Sequence, residues 1–377
     1  MFAEGSTHPS LQNPGTAKAY TRTKLTLGIV SSFLSFAVLA FLVVAGYSRE
    51  LEAAARSFTA NAYVALMVFT LSVGILQALV TVPLSFLSGY VIEHRYRLSN
   101  QTIFRWAWEH LKGLFVSAPL IAALVIALYF CLKRFGALWW LPLSVVITLF
   151  SVVLARLAPI LIMPLFYKFV PLGEGSLRER ILRLCASAGM RIQGVYSFDM
   201  SKNTKKANAG FTGIGRAKRI ILGDTLVQSF PEDEIETVFA HELGHYKRRH
   251  IAIGIAIGTV STFLGLWVAA GLYGWSADRL GLNVTDFAAL PLLGLWLALF
   301  GLVTMPLGNA VSRMHERQAD RYAVERTGNP AAFVSALRRL AAMNLADPAP
   351  HPLVEFLFYS HPSINRRIRA VEAMRGV

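Results

Sequence analysis

The chain has 377 residues, of which 54% are hydrophobic and only 16% are charged, and its mean hydropathy is positive. Soluble globular domains carry about 25% charged residues, so this composition excludes a soluble globular protein and indicates an integral membrane protein. The net charge of +15 is also typical of nucleic-acid-binding proteins, and the distribution of the basic residues decides between these classes.

Six long segments contain no Asp, Glu, Lys or Arg. Each has about the 20 residues that a helix needs to cross a hydrocarbon layer. The first has too long an apolar core for a cleaved signal peptide, so it is interpreted as a retained span. We therefore predict six spans, in residues 25–46, 62–91, 114–132, 137–155, 251–273 and 288–307.

The basic residues are distributed unequally between the two sides of these spans. With the N-terminus inside, the inner segments contain 32 of the 37 Lys and Arg residues, and the outer loops contain 5. This is the positive-inside bias of membrane proteins, so nucleic acid is not needed as a partner. The N-terminus and C-terminus are predicted on the cytoplasmic side. The Ala- and Arg-rich composition favours a bacterial inner membrane, and the endoplasmic reticulum membrane is the eukaryotic alternative.

The spans divide the chain into four predicted regions: an N-terminal four-span block (1–173), an inner-face region (174–250), the fifth and sixth spans (251–307) and a C-terminal region (308–377). Only the inner-face region has the composition of a soluble domain. Cys131 and Cys185 are the two cysteines, which are too few for a disulfide framework.

The inner-face region is patterned as a small α+β domain. Apolar residues at steps of three and four predict a helix over residues 176–189. Short strands are predicted in GVYSFDM (194–200) and RIIL (219–222), with ANAGFTGIG (207–215) between them. Pro231 is followed by four acidic residues, which favour the positive end of a helix dipole, so a second helix is predicted to begin there.

The second helix carries the motif H-E-x-x-H in His241, Glu242 and His245. Residues four apart lie on one face of a helix, so both imidazoles can bind one zinc ion while Glu242 serves as a base. The motif continues through Lys247, Arg248 and Arg249 into an apolar span, and we interpret this stretch as one helix. At 1.5 Å per residue, the zinc would lie about 9 to 15 Å from the first lipid-preferring residue, near the depth of the headgroups.

A third zinc ligand decides whether the motif is functional. The metzincin pattern fails, because positions 248 and 251 are Arg and Ile. His250 falls one residue short of that spacing and is interpreted as an interfacial residue. Glu316 and Asp320 lie one helical turn apart after the sixth span, on the same side of the membrane as the histidines. Glu316 can therefore be the ligand and Asp320 can orient a zinc histidine, although an ordinary solvated helix is the alternative.

In combination, these features resemble the type 1 CAAX prenyl endopeptidases, which are integral-membrane zinc metalloproteases of the gluzincin class. The resemblance covers most of the chain. Two departures are Arg97, where the family usually has Gly, and six predicted spans, where eukaryotic members are credited with seven. The matching segments are PLSFLSGYVIEHRYRLSNQT (83–102), PLFYKFVPL (164–172), SKNTKKANAGFTGIGRAKRIILGDTL (201–226), HELGH (241–245), SRMHERQAD (312–320) and YSHPSINRR (359–367).

The resemblance implies a role for each matching site residue. His241, His245 and Glu316 correspond to the zinc ligands, Glu242 to the catalytic base and Asp320 to the acid that orients a ligand. The resemblance also implies roles for two further pairs of residues. Asn208 and Ala209 correspond to a strand edge along which the substrate backbone lies, and His361 and Arg367 to the pair that stabilises the tetrahedral intermediate.

The predicted protein is thus a mainly α-helical, polytopic membrane protein with six, or in the family's pattern seven, spans and a small α+β zinc-metalloprotease domain on the inner face. We expect one Zn²⁺ per chain, surrounding membrane lipid and a peptide or protein substrate, which the resemblance implies to be prenylated at a C-terminal CAAX sequence. A broad quality-control protease and a catalytically silent zinc-binding scaffold are the alternatives. A transporter is disfavoured, because the predicted spans contain no Asp, Glu, Lys or Arg.

Overall fold

The computed structural model describes residues 14–190, 192–212 and 219–374, and most of them are helical. The α-helices of this part of the chain are α1 (Pro14–Val44), α2 (Tyr47–Phe58), α3 (Ala62–Phe86), α4 (Glu93–Arg95), α5 (Ile103–Phe135), α6 (Trp140–Leu157), α7 (Met163–Phe166), α8 (Ser176–Ser187), α9 (Asp224–Ser229), α10 (Glu232–Lys247), α11 (His250–Arg279), α12 (Leu290–Thr327), α13 (Pro330–Met343), α14 (Pro352–Phe358) and α15 (Ile364–Ala373). Two π-helical segments, Leu87–Ile92 and Ala158–Ile162, continue α3 and α6.

Within the described residues, six continuous helical stretches are long and apolar enough to cross a membrane, which confirms the predicted fold class. Large apolar side chains project outward from them, and Phe33 and Phe115 remain 69% and 70% exposed. Such exposure is expected where lipid, rather than protein, covers the surface. The stretches are Gly15–Val44, Ala62–Arg95, Ile103–Leu138, Trp140–Phe166, His250–Arg279 and Phe287–Thr327.

The boundary between the H-E-x-x-H helix and the fifth span is a break, so the interpretation of this stretch as one helix is wrong. Helix α10 ends at Lys247 and α11 begins at His250. Arg249 between them has a left-handed backbone with a φ of 57°, which a right-handed helix cannot contain. The last carbonyls of α10 are satisfied by the amides of the joint, because Arg248 N donates to Gly244 O and Arg249 N to Tyr246 O.

A four-stranded sheet lies beside α10, in the order β1-β2-β4-β3. Strand β2 is parallel to β4, and the other two neighbouring pairs are antiparallel. The predicted strands at 194–200 and 219–222 correspond to β2 and β4. Strand β1 was not predicted, and β3 begins at the strand edge that the resemblance indicated at Asn208 and Ala209. Residues 213–215 of the segment between β2 and β4 lie outside the described residues. The strands are β1 (Phe169–Pro171), β2 (Gly194–Phe198), β3 (Ala209–Thr212) and β4 (Arg219–Gly223).

The sheet and α10 share one apolar core with α8 and α13. Its centre is formed by side chains that are at most 1% exposed, including Ile181 from α8, Ile220 from β4, Phe239 from α10 and Phe333 from α13. At about 25 cal/mol per Å² of buried apolar surface, residues of this size each contribute on the order of 1.5–3 kcal/mol. This core holds one face of α10 rigidly, and the opposite face is left to pack against α12.

Candidate metal centre

The site forms where α10 crosses α12 at close range. Gly244 makes this approach possible, since a Cβ atom at that position would lie only 3.0 Å from Ala319 Cα and 3.2 Å from its carbonyl oxygen. The crossing places Glu316 of α12 opposite the two histidines of α10. One ligand atom from each of His241, His245 and Glu316 lies within 4.8 Å of the others.

The distances within this group fit a tetrahedral metal ion. His241 Nε2 lies 3.2 Å from His245 Nε2. His241 Nε2 also lies 3.3 Å from Oε2 of Glu316, and His245 Nε2 lies 3.3 Å from its Oε1. Ligand atoms bonded to zinc at about 2.0 Å in tetrahedral geometry are separated by about 3.3 Å. Glu316 Oε2 is buried and has no hydrogen-bond partner among the described residues, as expected of an atom whose partner is a metal. Two histidines and one glutamate are also a donor set typical of catalytic zinc.

Asp320 holds the ring of His241 from the side opposite to the metal position. Asp320 Oδ1 lies 2.8 Å from His241 Nδ1, and the carboxylate accepts two further hydrogen bonds from Arg367, at 2.6 and 2.8 Å. Burial opposes a charge on His241, but its contacts with Asp320 and Glu316 prevail and raise the pKa of this imidazole to about 9. With a metal on Nε2, Nδ1–H donates to Asp320, which fixes the ring orientation.

Glu242 and Arg367 face the same cleft. Burial raises the pKa of Glu242 above its ordinary value, which strengthens this carboxylate as a proton acceptor. Arg367 uses Nε and Nη2 for Asp320, and its Nη1 lies 4.0 Å from Glu316 Oε2. One end of the guanidinium therefore orients Asp320, while the other is directed toward the metal position.

His361 lies at the mouth of the cleft, between α14 and α15. Its Nε2 is 3.3 Å from Glu316 Oε1, and its side chain is 62% exposed. Arg313 of α12 supports this loop from beneath, because its buried Nη1 donates to the carbonyl oxygens of Glu355, Phe356 and Tyr359. The sequence analysis assigned no role to Arg313, and only its charge directly after the sixth span could have drawn attention to it.

Asn208 and Ala209 lie at the open edge of the sheet. Gly223 N donates to Asn208 O, so Asn208 faces β4, and by alternation Ala207 and Ala209 direct their backbone groups to the free edge. The side chain of Asn344 already pairs with Ala207: Ala207 N donates to Asn344 Oδ1 at 3.0 Å, and Asn344 Nδ2 donates to Ala207 O at 3.3 Å. The Asn208 side chain accepts from Ala209 N at 2.9 Å.

A cleft of about 420 Å³ joins the metal-binding residues to this edge. Its polar side contains His241, Glu242, Glu316, His361 and Arg367. Asn208 and Ala209 also line it, whereas His245 and Asp320 do not. Its apolar side is formed by α9, α10 and α13. The apolar lining residues are Leu226, Val238, Phe333, Ala336, Leu337 and Leu340.

His250 is buried inside the protein and is not exposed to headgroups or water, in contrast to the interpretation of this residue as interfacial. It is only 5% exposed, and its Nδ1 lies 3.0 Å from His245 Nδ1. The break at Arg249 turns the start of α11 back toward α10 and so brings His250 behind His245, a candidate metal ligand. Its position five residues after His245 is the one sequence signal that could have indicated this contact.

Comparison with known proteins gives matches over nearly the whole chain. Residues 171–375 match the model of peptidase family M48, and residues 9–168 match the model described as the CAAX prenyl protease N-terminal region with five membrane helices. An uncharacterized metalloprotease, YhfN, of Bacillus subtilis is 33% identical over 94% of this chain and 84% of its own length. CAAX prenyl protease 1 of Saccharomyces cerevisiae is 30% identical over 79% of this chain and 70% of its own length.

The fold also matches a solved structure. The crystal structure of S. mikatae Ste24p superposes with a TM-score of 0.84, covers 98% of this chain and 92% of the other, and shares 26% sequence identity. Among plant proteins, the CAAX prenyl protease 1 homolog of Arabidopsis thaliana is 35% identical over 77% of this chain and 69% of its own length.

Proposed function

Because this chain belongs to peptidase family M48 and is a multi-pass membrane metalloendopeptidase, we propose that its metal is one zinc ion held by His241, His245 and Glu316. The observation that carries the proposal is the convergence of two Nε2 atoms, 3.2 Å apart, on the Glu316 carboxylate, of which each nitrogen approaches a different oxygen at 3.3 Å. One of these oxygens, Oε2, has no hydrogen-bond partner among the described residues. A solvated helix would leave Glu316 exposed, whereas its side chain is only 6% exposed.

Hydrolysis of a peptide bond requires a nucleophile, a proton carrier and stabilisation of the developing oxyanion. Zinc, when bound, supplies a Lewis acid that polarises the scissile carbonyl and acidifies a water molecule. Glu242 accepts a proton as the water oxygen bonds to the carbonyl carbon, and returns it to the leaving nitrogen as the C–N bond breaks. Arg367 Nη1 and His361 Nε2 are directed toward this centre and offset the charge of the oxyanion.

The substrate backbone is proposed to pair with the free edge at Ala209. Edge strands accept an added strand through main-chain hydrogen bonds, and this edge opens into the same cleft as Glu242. The Ala209 amide is bonded to the Asn208 side chain, so pairing at this residue requires that side chain to turn away. The apolar wall of α13 then accommodates an aliphatic side chain of the substrate.

We further propose that the substrates are membrane-associated and include C-terminal CAAX sequences carrying a prenyl group. The support is that the yeast and plant relatives are CAAX prenyl protease 1 and its homolog, together with a site that lies where α11 and α12 become apolar. A broad quality-control protease acting on unprenylated membrane proteins remains the second candidate, since one relative of similar coverage is described as a metalloprotease alone.

The proposal includes sidedness and the division of the chain into regions. The excess of basic residues in residues 156–250 and 308–377 supports a cytoplasmic position for the site and for both termini. The four-span block (1–173), the protease region (174–250), the two following spans (251–307) and the C-terminal region (308–377) would then be the functional units.

Zinc content and cleavage by Glu242→Gln test the catalytic proposal. The variant is expected to bind one zinc ion per chain and to lose cleavage by several orders of magnitude, because it keeps the ligands and removes the proton acceptor. The purified full-length protein is assayed with and without a chelator. Full activity in Glu242→Gln, or unchanged activity after complete zinc removal, would refute the assignment.

A matched pair of peptides tests the substrate class. A farnesylated CAAX peptide and its unprenylated twin are offered to the wild-type protein at equal concentration, in the same lipid vesicles. Prenyl recognition predicts a higher kcat/KM for the farnesylated peptide. Equal values would contradict prenyl specificity and favour the broad protease.

A further inference from the structure

The two candidate histidine ligands differ in what holds them from behind. His241 Nδ1 is paired with the carboxylate of Asp320, as described above. His245 Nδ1 has a neutral partner instead, since His250 Nδ1 lies 3.0 Å away. On the far side of the His250 ring, Nε2 lies 2.9 Å from Oε1 of Gln318. A chain of three side chains thus leads from α12 to the Nδ1 atom of His245.

The donors and acceptors in this chain have one consistent assignment. An imidazole that binds a metal through Nε2 carries its proton on Nδ1, so His245 Nδ1–H must donate and His250 Nδ1 must accept. The proton of neutral His250 is then on Nε2, where it donates to Gln318 Oε1. The amide oxygen of Gln318 therefore selects the tautomer of His250, and His250 in turn selects the tautomer of His245 that leaves Nε2 free.

We infer that His250 and Gln318 are positioning residues that orient His245 and keep its Nε2 available to the metal. The inference rests on the proposed zinc site and adds residues to it. His250 touches neither substrate nor metal in this role, because it lies behind the ligand ring. Hydrogen bonds of this kind to metal-binding histidines typically contribute 10- to 100-fold to metal affinity.

The surroundings of His250 hold its ring in the required orientation. The ring stacks on that of His315, with centroids 4.0 Å apart and an interplanar angle of 8°. The left-handed joint at Arg249 places His250 at the first position of α11, facing back toward α10. A left-handed backbone is unfavourable for a non-glycine residue, and its presence here is consistent with a conformation that the surrounding contacts select.

Zinc affinity of the full-length protein tests this inference without reference to catalysis. In His250→Phe the ring can still stack on His315, but the acceptor for His245 is gone, so the zinc Kd is expected to rise 10- to 100-fold. Gln318→Leu removes the group that selects the tautomer and should raise the Kd by a smaller factor. Gln318→Glu keeps an acceptor at this position and should remain within a few-fold of the wild type.

The matched control is His315→Phe, which changes the other ring of the stacked pair and leaves the chain from Gln318 to His245 intact. The inference expects this control to bind zinc like the wild type, and all variants are compared after size-exclusion chromatography and thermal unfolding. If His250→Phe and Gln318→Leu bind zinc as tightly as the wild type, or if His315→Phe loses as much affinity as His250→Phe, the inference fails. A wild-type protein that binds no zinc would instead refute the proposed function.

Discussion

The site lies on two helical paths, each of which joins a polar region to an apolar span. One path is helix α12, and the other is α10 followed by α11. Helix α12 runs unbroken from Leu290 to Thr327 and presents Glu316 and Asp320 four residues apart on one face. The other path breaks between α10 and α11 and turns at Arg249. The unbroken helix α12 presents Glu316 and Asp320 along one face, whereas the broken path places His250 behind His245. The contact of His250 with His245 therefore depends on the break between α10 and α11.

The largest effect is expected from separating the two paths at their crossing. Gly244→Ala puts a Cβ atom about where Ala319 Cα and its carbonyl oxygen leave no space, so α10 must move away from α12. The displacement needed to relieve these contacts is a few tenths of an ångström. Because a misplacement of about 1 Å in a catalytic constellation costs on the order of 100-fold in rate, we expect kcat/KM to fall by up to about 100-fold, together with weaker zinc binding.

The control for this substitution is Gly258→Ala in α11, since a Cβ atom there meets no atom within 4 Å. Both variants are assayed for zinc content and peptide cleavage in the same detergent. Equal loss in the two variants, or normal activity in Gly244→Ala, would show that the close crossing is unimportant.

An intermediate effect on zinc affinity is expected from pH, and it arises from the carboxylates of the unbroken helix α12. Asp320 and Glu316 of α12 raise the pKa of His241 to about 9 in the metal-free protein, so zinc must displace a proton at lower pH. Zinc affinity should therefore fall by up to about tenfold per pH unit as the pH decreases below 9. Above that pH the affinity should level off.

Competition titrations with a chelator of known pH dependence, between pH 6.5 and 10, measure this slope. Asp320→Asn removes one of the two carboxylates that raise the pKa of His241, so its affinity should begin to fall only at a lower pH. A pH-independent zinc affinity in the wild-type protein, or an identical profile in Asp320→Asn, would contradict this account.

The smallest effect is expected at the joint of the broken path. Glycine adopts a φ of 57° without steric cost, so Arg249→Gly should raise the free energy of unfolding, by up to about 1 kcal/mol. Arg249→Val should lower it by about 1–2 kcal/mol. Arg248→Gly is the comparison, because Arg248 has a φ of −81° and gains nothing from glycine. Thermal unfolding in detergent ranks the three variants, and a destabilised Arg249→Gly would mean that the Arg249 side chain outweighs the backbone strain.

The spacing of H-E-x-x-H and the counting of spans were sufficient to predict the fold class and to select Glu316 and Asp320. Both inferences use periodicity and membrane topology, which are local or additive properties of a sequence. The contact of His250 with His245 could not be predicted in this way, because it depends on a left-handed conformation at an arginine, which sequence preferences disfavour. The support of the His361 loop by Arg313 joins segments about 45 residues apart and has no periodic signature.

The residue pattern alone did not predict strand β3, which only the resemblance indicated, for a related reason. It is four residues long and contains Gly210, so it lacks the alternation of a typical strand. Its place at the sheet edge depends on pairing with β4 and on the packing of α10 beside it. The resemblance singled out Asn208 and Ala209, but it could not indicate that Asn344 pairs with the preceding residue.

The pairing of Asn344 with Ala207 limits the part of the open sheet edge that is available to an added strand. On the proposed substrate path, a peptide would bond at Ala209 once the Asn208 side chain turns away, whereas both the N–H and the C=O of Ala207 are held by the Asn344 side chain. The Asn344 side chain would therefore end the added ladder before Ala207. A substrate whose pairing ends at this point would be cut at a set distance from its last paired residue. The length of the paired segment, as well as the side chains, would then determine the cleavage position.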